Sequence, residues 1–385
     1  MIGEKLVAGV LALTITAPTP VAAAQAPSCN PPRGILSIKE SWAQRRFNLP
    51  EVWKLSRGEG VTVAVVDSGV DNTHPQLRAV SRPVDLTGTG KIDCLGHGTA
   101  VAGIIAAAEK PGALFAGVAP GVKLISIKQT NEERSDGAGR LAHGILQAVQ
   151  LGADVINVST KASDQPDLKA AVSYALAQDV VVVAAAGNVE RPDSPSLPAY
   201  PATYPGVISV GSAKPDGGRA ESSNTSSPVS VLAPGVDLTS TSPGGAFIEG
   251  LEGTSFAAAY VTGVAALVRA RYPKLDRTAI QRRIQMTADG GSGTGTGEGM
   301  VNPLLALSTI IPSESEMVAI APDEPGPLPA DAIRRVPEED VRGITIAIWV
   351  ALLSLTAAIL TLLGRLVVPM GRRRGWQPDR TEIGA

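Results

Sequence analysis

The strongest constraint on this chain is an alternation. Between residue 61 and about residue 306, short valine-rich runs take turns with longer segments of helical periodicity. "VTVAVVDSG" (61–69), "KLISIKQ" (123–129), "ADVINVST" (153–160), "VVVVAAAGN" (180–188), "GVISVGSA" (206–213) and "SVLAPG" (230–235) are nearly continuous apolar runs, the pattern of strands buried on both faces. Between and after them, "HGTAVAGIIAAA" (97–108), "GRLAHGILQAVQLG" (139–152), "PDLKAAVSYALAQD" (166–179), the helix around Ser255 and "DRTAIQRRIQMTA" (276–288) carry helical spacing. Buried strands separated by helices predict an α/β domain: a parallel sheet with helices on both faces. Functional groups of such sheets gather beyond the carboxyl ends of the strands. Aromatic residues make up only 3% of the chain, so the core must be close-packed from Ala, Gly and Val. A net charge of −2 offers no basic field for nucleic acid. No internal repeat is evident.

Both ends of the chain differ from this body. Residues 1–26 combine Lys5, an apolar stretch from Leu6 to Ile15, and small residues ending in Ala24 and Ala26, the layout of a secretory signal peptide cut after one of those alanines. Its apolar run is too short to span about 30 Å of hydrocarbon. "GITIAIWVALLSLTAAILTLLG" (343–364) contains no charge and is long enough for one membrane-spanning helix, placed at 343–368. Glu338, Glu339 and Asp340 precede it, whereas Arg365 and Arg372–Arg374 follow. By the positive-inside rule the basic tail, 369–385, is cytoplasmic and the body lies outside. Residues 311–342, rich in Pro and acid, read as an extended stalk between body and membrane.

The chain has two cysteines, Cys29 and Cys94. Outside the cytoplasm an even pair favours a disulfide over free thiols. A zinc site would need more ligands, and the histidines are only three: His74, His97 and His143. No metal or cofactor is expected.

Four residues have mechanistic potential. Asp67 ends the strand "VAVVD", His97 opens a helix in "GHGTAVAG" between two glycines that leave room around the ring, Asn188 ends "VVVVAAAGN", and Ser255 opens the helix "GTSFAAAYVTGVAALV". Singly each has a plain structural reading. Asp67 and Asn188 suit turns, His97 suits a buried packing role, and Ser255 suits a helix N-cap. Jointly they fall on one rim, and their types complete a mechanism. A serine hydroxyl needs a base, a histidine can take its proton near neutral pH, and a buried carboxylate orients the imidazole. The Ser255 N–H and the Asn188 amide would receive the oxyanion, with the helix dipole adding the right sign.

The order Asp67, His97, Ser255, with the segments "VAVVDSGV", "GHGTAVAG", "VVAAAGN" and "GTSFAAAYVTGVAALV", resembles the subtilisin family of serine proteases. The resemblance covers about residues 60–306, and "GMVNPLLAL" (299–307) resembles the family's closing segment. It implies a three-layer α/β/α sandwich with a mainly parallel sheet over 59–310, and a peptide cleft lined by Ser159, Thr160, Ala186 and Gly187. The full layout of signal peptide, protease domain, stalk, one C-terminal transmembrane helix and basic tail looks like the mycosins, membrane-anchored proteases of type VII secretion systems. That likeness implies a Cys29–Cys94 bridge and an N-terminal extension (27–58) that wraps the catalytic domain. Only roughly 35 residues separate the expected cleavage point from the first strand, too few for a folding propeptide domain. The mycosin likeness implies that the extension stays attached and props the active-site rim without blocking it, with no activating cleavage.

One position departs from the family pattern. Lys161 stands where subtilisins carry a small residue after the cleft strand; it either crowds and charges the cleft or points to solvent beyond an earlier strand end. Asp71 belongs to no acidic cluster and suits a loop turn better than a calcium site. The expected partners are a peptide or protein substrate, the membrane, and other membrane components of a type VII secretion system. The expected activity is serine endopeptidase; the alternative is a role mainly as a structural part of that secretion complex.

Overall fold

The computed structural model describes residues 29, 31–132, 137–189, 196–291, 293–314, 341–373 and 375. The expected signal peptide, nearly all of the stalk and most of the tail lie outside them. Two compact units divide the chain, one reaching Pro322 and one starting at Asp323. In chain order the elements are α1 (Trp42–Phe47), α2 (Leu49–Trp53), β1 (Thr62–Asp67), β2 (Val80–Asp85), α3 (His97–Ala106), β3 (Lys123–Lys128), α4 (Ala138–Gln150), β4 (Val155–Val158), α5 (Pro166–Ala177), β5 (Val181–Ala185), β6 (Ile208–Ala213), β7 (Val231–Pro234), β8 (Leu238–Ser242), β9 (Ala246–Leu251), α6 (Thr254–Arg271), α7 (Arg277–Met286), α8 (Pro303–Ser308) and α9 (Val341–Arg373).

The first unit is built on a seven-stranded sheet of order β2-β3-β1-β4-β5-β6-β7. Every neighbouring pair in it is parallel. Successive residues of β1 serve opposite faces. Val63 and Val65 pack into the cluster beneath α3 and α6, while Ala64 and Val66 pack beneath α4 and α5. Helices thus cover both faces, giving the α/β/α sandwich of subtilisins. In α6, fourteen of eighteen residues are buried, so it is a core helix apolar nearly all round.

The strand order reverses between β1 and β4, which lie side by side. The crevice beyond their carboxyl ends is where ligands bind in doubly wound sheets.

Three features were not legible as strands or helices. β2 is an edge strand that contains Pro83 and breaks register between Ser81 and Val84, as proline permits only at an edge. β8, "LTSTS", is polar in sequence yet buried. Its Ser240 and Thr241 hydroxyls donate to the Ala100 and Thr99 carbonyls of α3, at 2.6 and 2.8 Å. Satisfied hydroxyls bury at little cost, so polarity misleads there. β8 pairs with β9 in an antiparallel hairpin.

The extension holds α1 and α2 against the body. Ser41 caps α1, the Trp42 and Trp53 indoles donate to the Val236 and Val118 carbonyls, and Phe47 meets Tyr260 of α6 edge-on at 5.1 Å. Ile35 exchanges two backbone hydrogen bonds of 2.8 Å with Phe247, an isolated antiparallel bridge that ties the extension to the hairpin.

The body folds past residue 310. A 3-10 turn at Pro312–Glu314 places Glu314 against Arg283, whose guanidinium also donates to the Ala306 and Thr309 carbonyls and stacks on Tyr272. In the second unit, α9 contains, between Arg342 and Gly371, an 18-residue stretch of mean hydropathy 2.5, and the segment is long enough to cross a bilayer. It runs through Arg373, into the stretch read as tail.

Candidate active site

Asp67 is the last residue of β1 and His97 the first of α3. They meet through His97 Nδ1 and Asp67 Oδ1 at 2.7 Å. The Asp67 side chain is 1% exposed and that of His97 30%, so the pair has a dry end and a wet end. The Ser68 N–H also donates to Asp67 Oδ1, at 2.7 Å.

The glycines flanking His97 each meet a demand of the backbone. Gly96 adopts a left-handed conformation (φ +75°) as the N-cap of α3. A Cβ on Gly98 would lie 2.0 Å from the Gly69 carbonyl oxygen, so only glycine lets the helix approach the end of β1 this closely. The two glycines bring the histidine to the aspartate.

Ser255 is not a cap. The N-cap of α6 is Gly253, and the Ser255 hydroxyl donates across the crevice to the Ser159 carbonyl at 2.8 Å. In return the buried Ser159 hydroxyl donates to the Ser255 carbonyl at 2.7 Å. Ser159 accepts from Asn157, which accepts from Thr262 one to two turns further along α6, each at 2.9 Å. Sequence reasoning missed Asn157 and Thr262. Polar residues inside "VINV" and an otherwise apolar helix were the available signal. It also passed over Phe256, whose ring lies 5.3 Å from the His97 imidazole.

Asn188 is held in one orientation. Its Oδ1 accepts from the Thr254 N–H and hydroxyl, both at 3.0 Å. With the oxygen engaged at the mouth of α6, the Nδ2 donors lie on the other side of the amide. Among the first N–H groups of α6, that of Thr254 is taken by Asn188 and that of Phe256 by the Gly253 carbonyl, which leaves the Ser255 N–H for a ligand. A partly negative oxygen entering here would find donors on two sides and the positive end of a helix.

Asp67, His97, Asn188 and Ser255 line one cleft of about 900 Å³. Ser159, Thr160, Lys161, Ala185 and Gly187 share its wall; Ala186 does not. Ala186 is fully buried, its N–H bonded to Val210 and its carbonyl to Asn224, so the chain turns its neighbours to the cleft instead. β4 ends at Val158, and Lys161 is both exposed and on the wall. Thr160 accepts from Gln129 at 3.3 Å.

Cys29 and Cys94 form a disulfide with Cα atoms 4.8 Å apart. It ties the extension to the loop that leads into His97, and Pro32 joins the cleft rim. Asp71 sits in a turn. Burial alone would raise its pKa, but hydrogen bonds from Thr73 and the Gly244 N–H together hold it below the usual carboxylate value.

The sequence model of the subtilase family matches residues 58–303. The chain belongs to that family and is a serine endopeptidase. It is similar to mycosins. With Mycosin-1 of Mycolicibacterium smegmatis it shares 35% identity over 361 residues, 76% of this chain and 80% of that protein. The crystal structure of MycP1 with its N-terminal propeptide removed superposes with a TM-score of 0.64 at 35% identity, covering 70% of this chain and 98% of that one. A chain of an intact ESX-5 inner membrane complex superposes with a TM-score of 0.63 at 31% identity, covering 88% and 93%.

Proposed function

We propose that the chain cleaves peptide bonds on the outer side of a membrane to which α9 anchors it, as a component of a type VII secretion system. The observation that carries the catalytic part is the Asp67–His97 contact of 2.7 Å on the same cleft as Ser255, at the mouth of α6.

Asp67 accepts from Nδ1–H and so leaves Nε2 as the base. His97 takes the Ser255 proton as Oγ attacks the substrate carbonyl. The Asn188 Nδ2 and the Ser255 N–H stabilise the oxyanion, and His97 then protonates the departing amine. Water repeats the cycle on the acyl-enzyme. Ser159, Thr160 and Gly187 form the walls along which the peptide lies. The extension remains attached during turnover, a reading supported by the packing of α1 on α6 through Phe47 and of α2 against α8.

Orientation rests on the charges flanking the uncharged stretch 343–364, acidic before at 338–340 and basic after at 365 and 372–374. The secretion role rests on likeness to mycosins and to a chain of the ESX-5 assembly. That last likeness also favours a second reading, in which the folded body stabilises the assembly whether or not it cleaves.

The test uses the full chain in detergent with a fluorophosphonate probe, beside Ser255→Ala and His97→Ala. Labelling that needs both residues, without prior loss of the extension, is the expected result. Labelling that survives Ser255→Ala would overturn the assignment.

A further inference from the structure

Behind the cleft lies a second buried carboxylate. Asp93, four positions before His97, is 0% exposed. Its Oδ1 accepts from the Ser68 hydroxyl at 2.8 Å and from the N–H groups of Leu95 and Gly96 at 3.1 and 2.9 Å. Its Oδ2 accepts from the Thr99 N–H and hydroxyl at 2.8 and 2.7 Å. Five donors converge on one side chain.

These bonds bear directly on His97. Helix α3 has no side-chain cap at Gly96. Its next free amides are bound from outside: Gly98 N–H by the Ser68 hydroxyl at 2.9 Å, and Thr99 N–H by Asp93. The Ser68 N–H donates to Asp67 Oδ1 at 2.7 Å. Asp67 and the first turn bearing His97 are therefore both referred to Asp93 through Ser68.

A carboxylate buried beside Asp67 needs a compensating charge. Lys128 supplies it. It ends β3, stands in register with Asp67 across the sheet, and is 1% exposed. Its ammonium donates to the Ile92 carbonyl at 2.6 Å and lies 3.9 Å from Cys94 Sγ, so it grips the residues on either side of Asp93. Burial lowers the lysine's pKa, and the Asp85 and Asp93 carboxylates oppose that fall.

We propose that Asp93 and Lys128 form a positioning unit for the catalytic histidine: Lys128 holds the 92–94 loop on the end of β3, and Asp93, through Ser68, fixes Asp67 and the first turn of α3. This rests on the triad reading above. Neither residue touches substrate.

The experiment measures fluorophosphonate labelling of the full chain in detergent, as limiting rate kinact, half-saturation KI and labelled fraction. Lys128→Met is compared with wild type and with Asp85→Asn. Asp85 also faces the ammonium but bonds only Thr87 and Gly90. Lys128→Met should lower kinact about 10- to 10²-fold, the scale of a misplaced catalytic group, with KI unchanged. Asp85→Asn should leave kinact at the wild-type value. A Lys128→Met protein that labels a smaller fraction at the wild-type kinact would overturn the proposal, because that is loss of fold alone. An equal fall in Asp85→Asn would also overturn it, since general charge balance would then suffice. If Lys128→Met does not fold, Ser68→Ala decides: a lowered kinact supports the bridge, an unchanged one removes it. A wild-type chain that does not label sinks the triad reading itself, which is a separate outcome.

Discussion

Asn188 shows how one residue is readied by its neighbours. An exposed amide on a loop would sample both flips. Here two donors from Thr254 claim the oxygen, so in the proposed mechanism the nitrogen would need no reorganisation when charge develops. Removing the corresponding donor in subtilisin costs about 10²–10³ in turnover. Asn188→Ala should lower kcat by that order, with KM nearly unchanged, in steady-state hydrolysis of a fluorogenic peptide. A large rise in KM with kcat intact would mean the amide binds the ground state instead. Ser255 illustrates the converse. The residue reads as a cap from its place beside a helix start, but a glycine takes the cap and leaves the hydroxyl to reach Ser159.

At the scale of elements, the β8–β9 hairpin joins the extension to the body, and a buried histidine secures it. His74 donates from Nε2 to the Ala246 carbonyl at 3.0 Å and accepts the Gln76 N–H on Nδ1 at 3.1 Å, which defines the neutral tautomer. Burial lowers its pKa below the ordinary 6.5, outweighing the pull of Ala246 and Asp71. Below 6.5 the unfolded chain binds this proton and the folded chain resists it, so stability falls as pH drops through that window. Asp71 acts on the same hairpin, but its lowered pKa confines its contribution to loss below 3.8. The two windows separate. Denaturant midpoints at about pH 7.5 and pH 5 should show a loss in the wild type that shrinks in His74→Gln. Equal losses in both would exclude His74 as the source. The Cys29–Cys94 bridge acts with the hairpin, closing a separation of 65 residues, worth about 4 kcal/mol of chain entropy in the unfolded state.

For the molecule as a whole, the two proposed roles make separable demands. Proteolysis as proposed would need four side chains of the cleft, whereas docking into a membrane complex would use the body and α9. Ser255→Ala leaves the packing of α6 untouched, because Ser255 is not among its buried residues. Expressed in a host deleted for this protein, Ser255→Ala should restore secretion to the extent that the folded body suffices, and deletion should abolish it. Secretion restored fully by the inactive chain would assign the main role to the scaffold. Secretion abolished equally by both would assign it to proteolysis. The buried Arg283–Glu314 pair gives this scale a fixed point, since it anchors the last described turn of the body.

What could be read from residue order alone was whatever local periodicity and residue type determine. Five helices and six strands of the central sheet announce themselves because a buried parallel strand is apolar throughout, and an acid, a base and a hydroxyl at successive element ends imply one rim. The disulfide followed from there being only two cysteines in a chain with secretory features. What only the tertiary structure decided depended on partners distant in sequence. β8 is a strand because α3 accepts its hydroxyl protons. Gly98 is glycine because the end of β1 leaves no space for a Cβ. Ala186 faces away from the cleft because Val210 and Asn224 claim its backbone. Asp93 and Lys128 look like ordinary surface charges until the fold buries them together behind the histidine. Burial and hydrogen-bond satisfaction are properties of contacts, and contacts across tens of residues leave no period in the sequence.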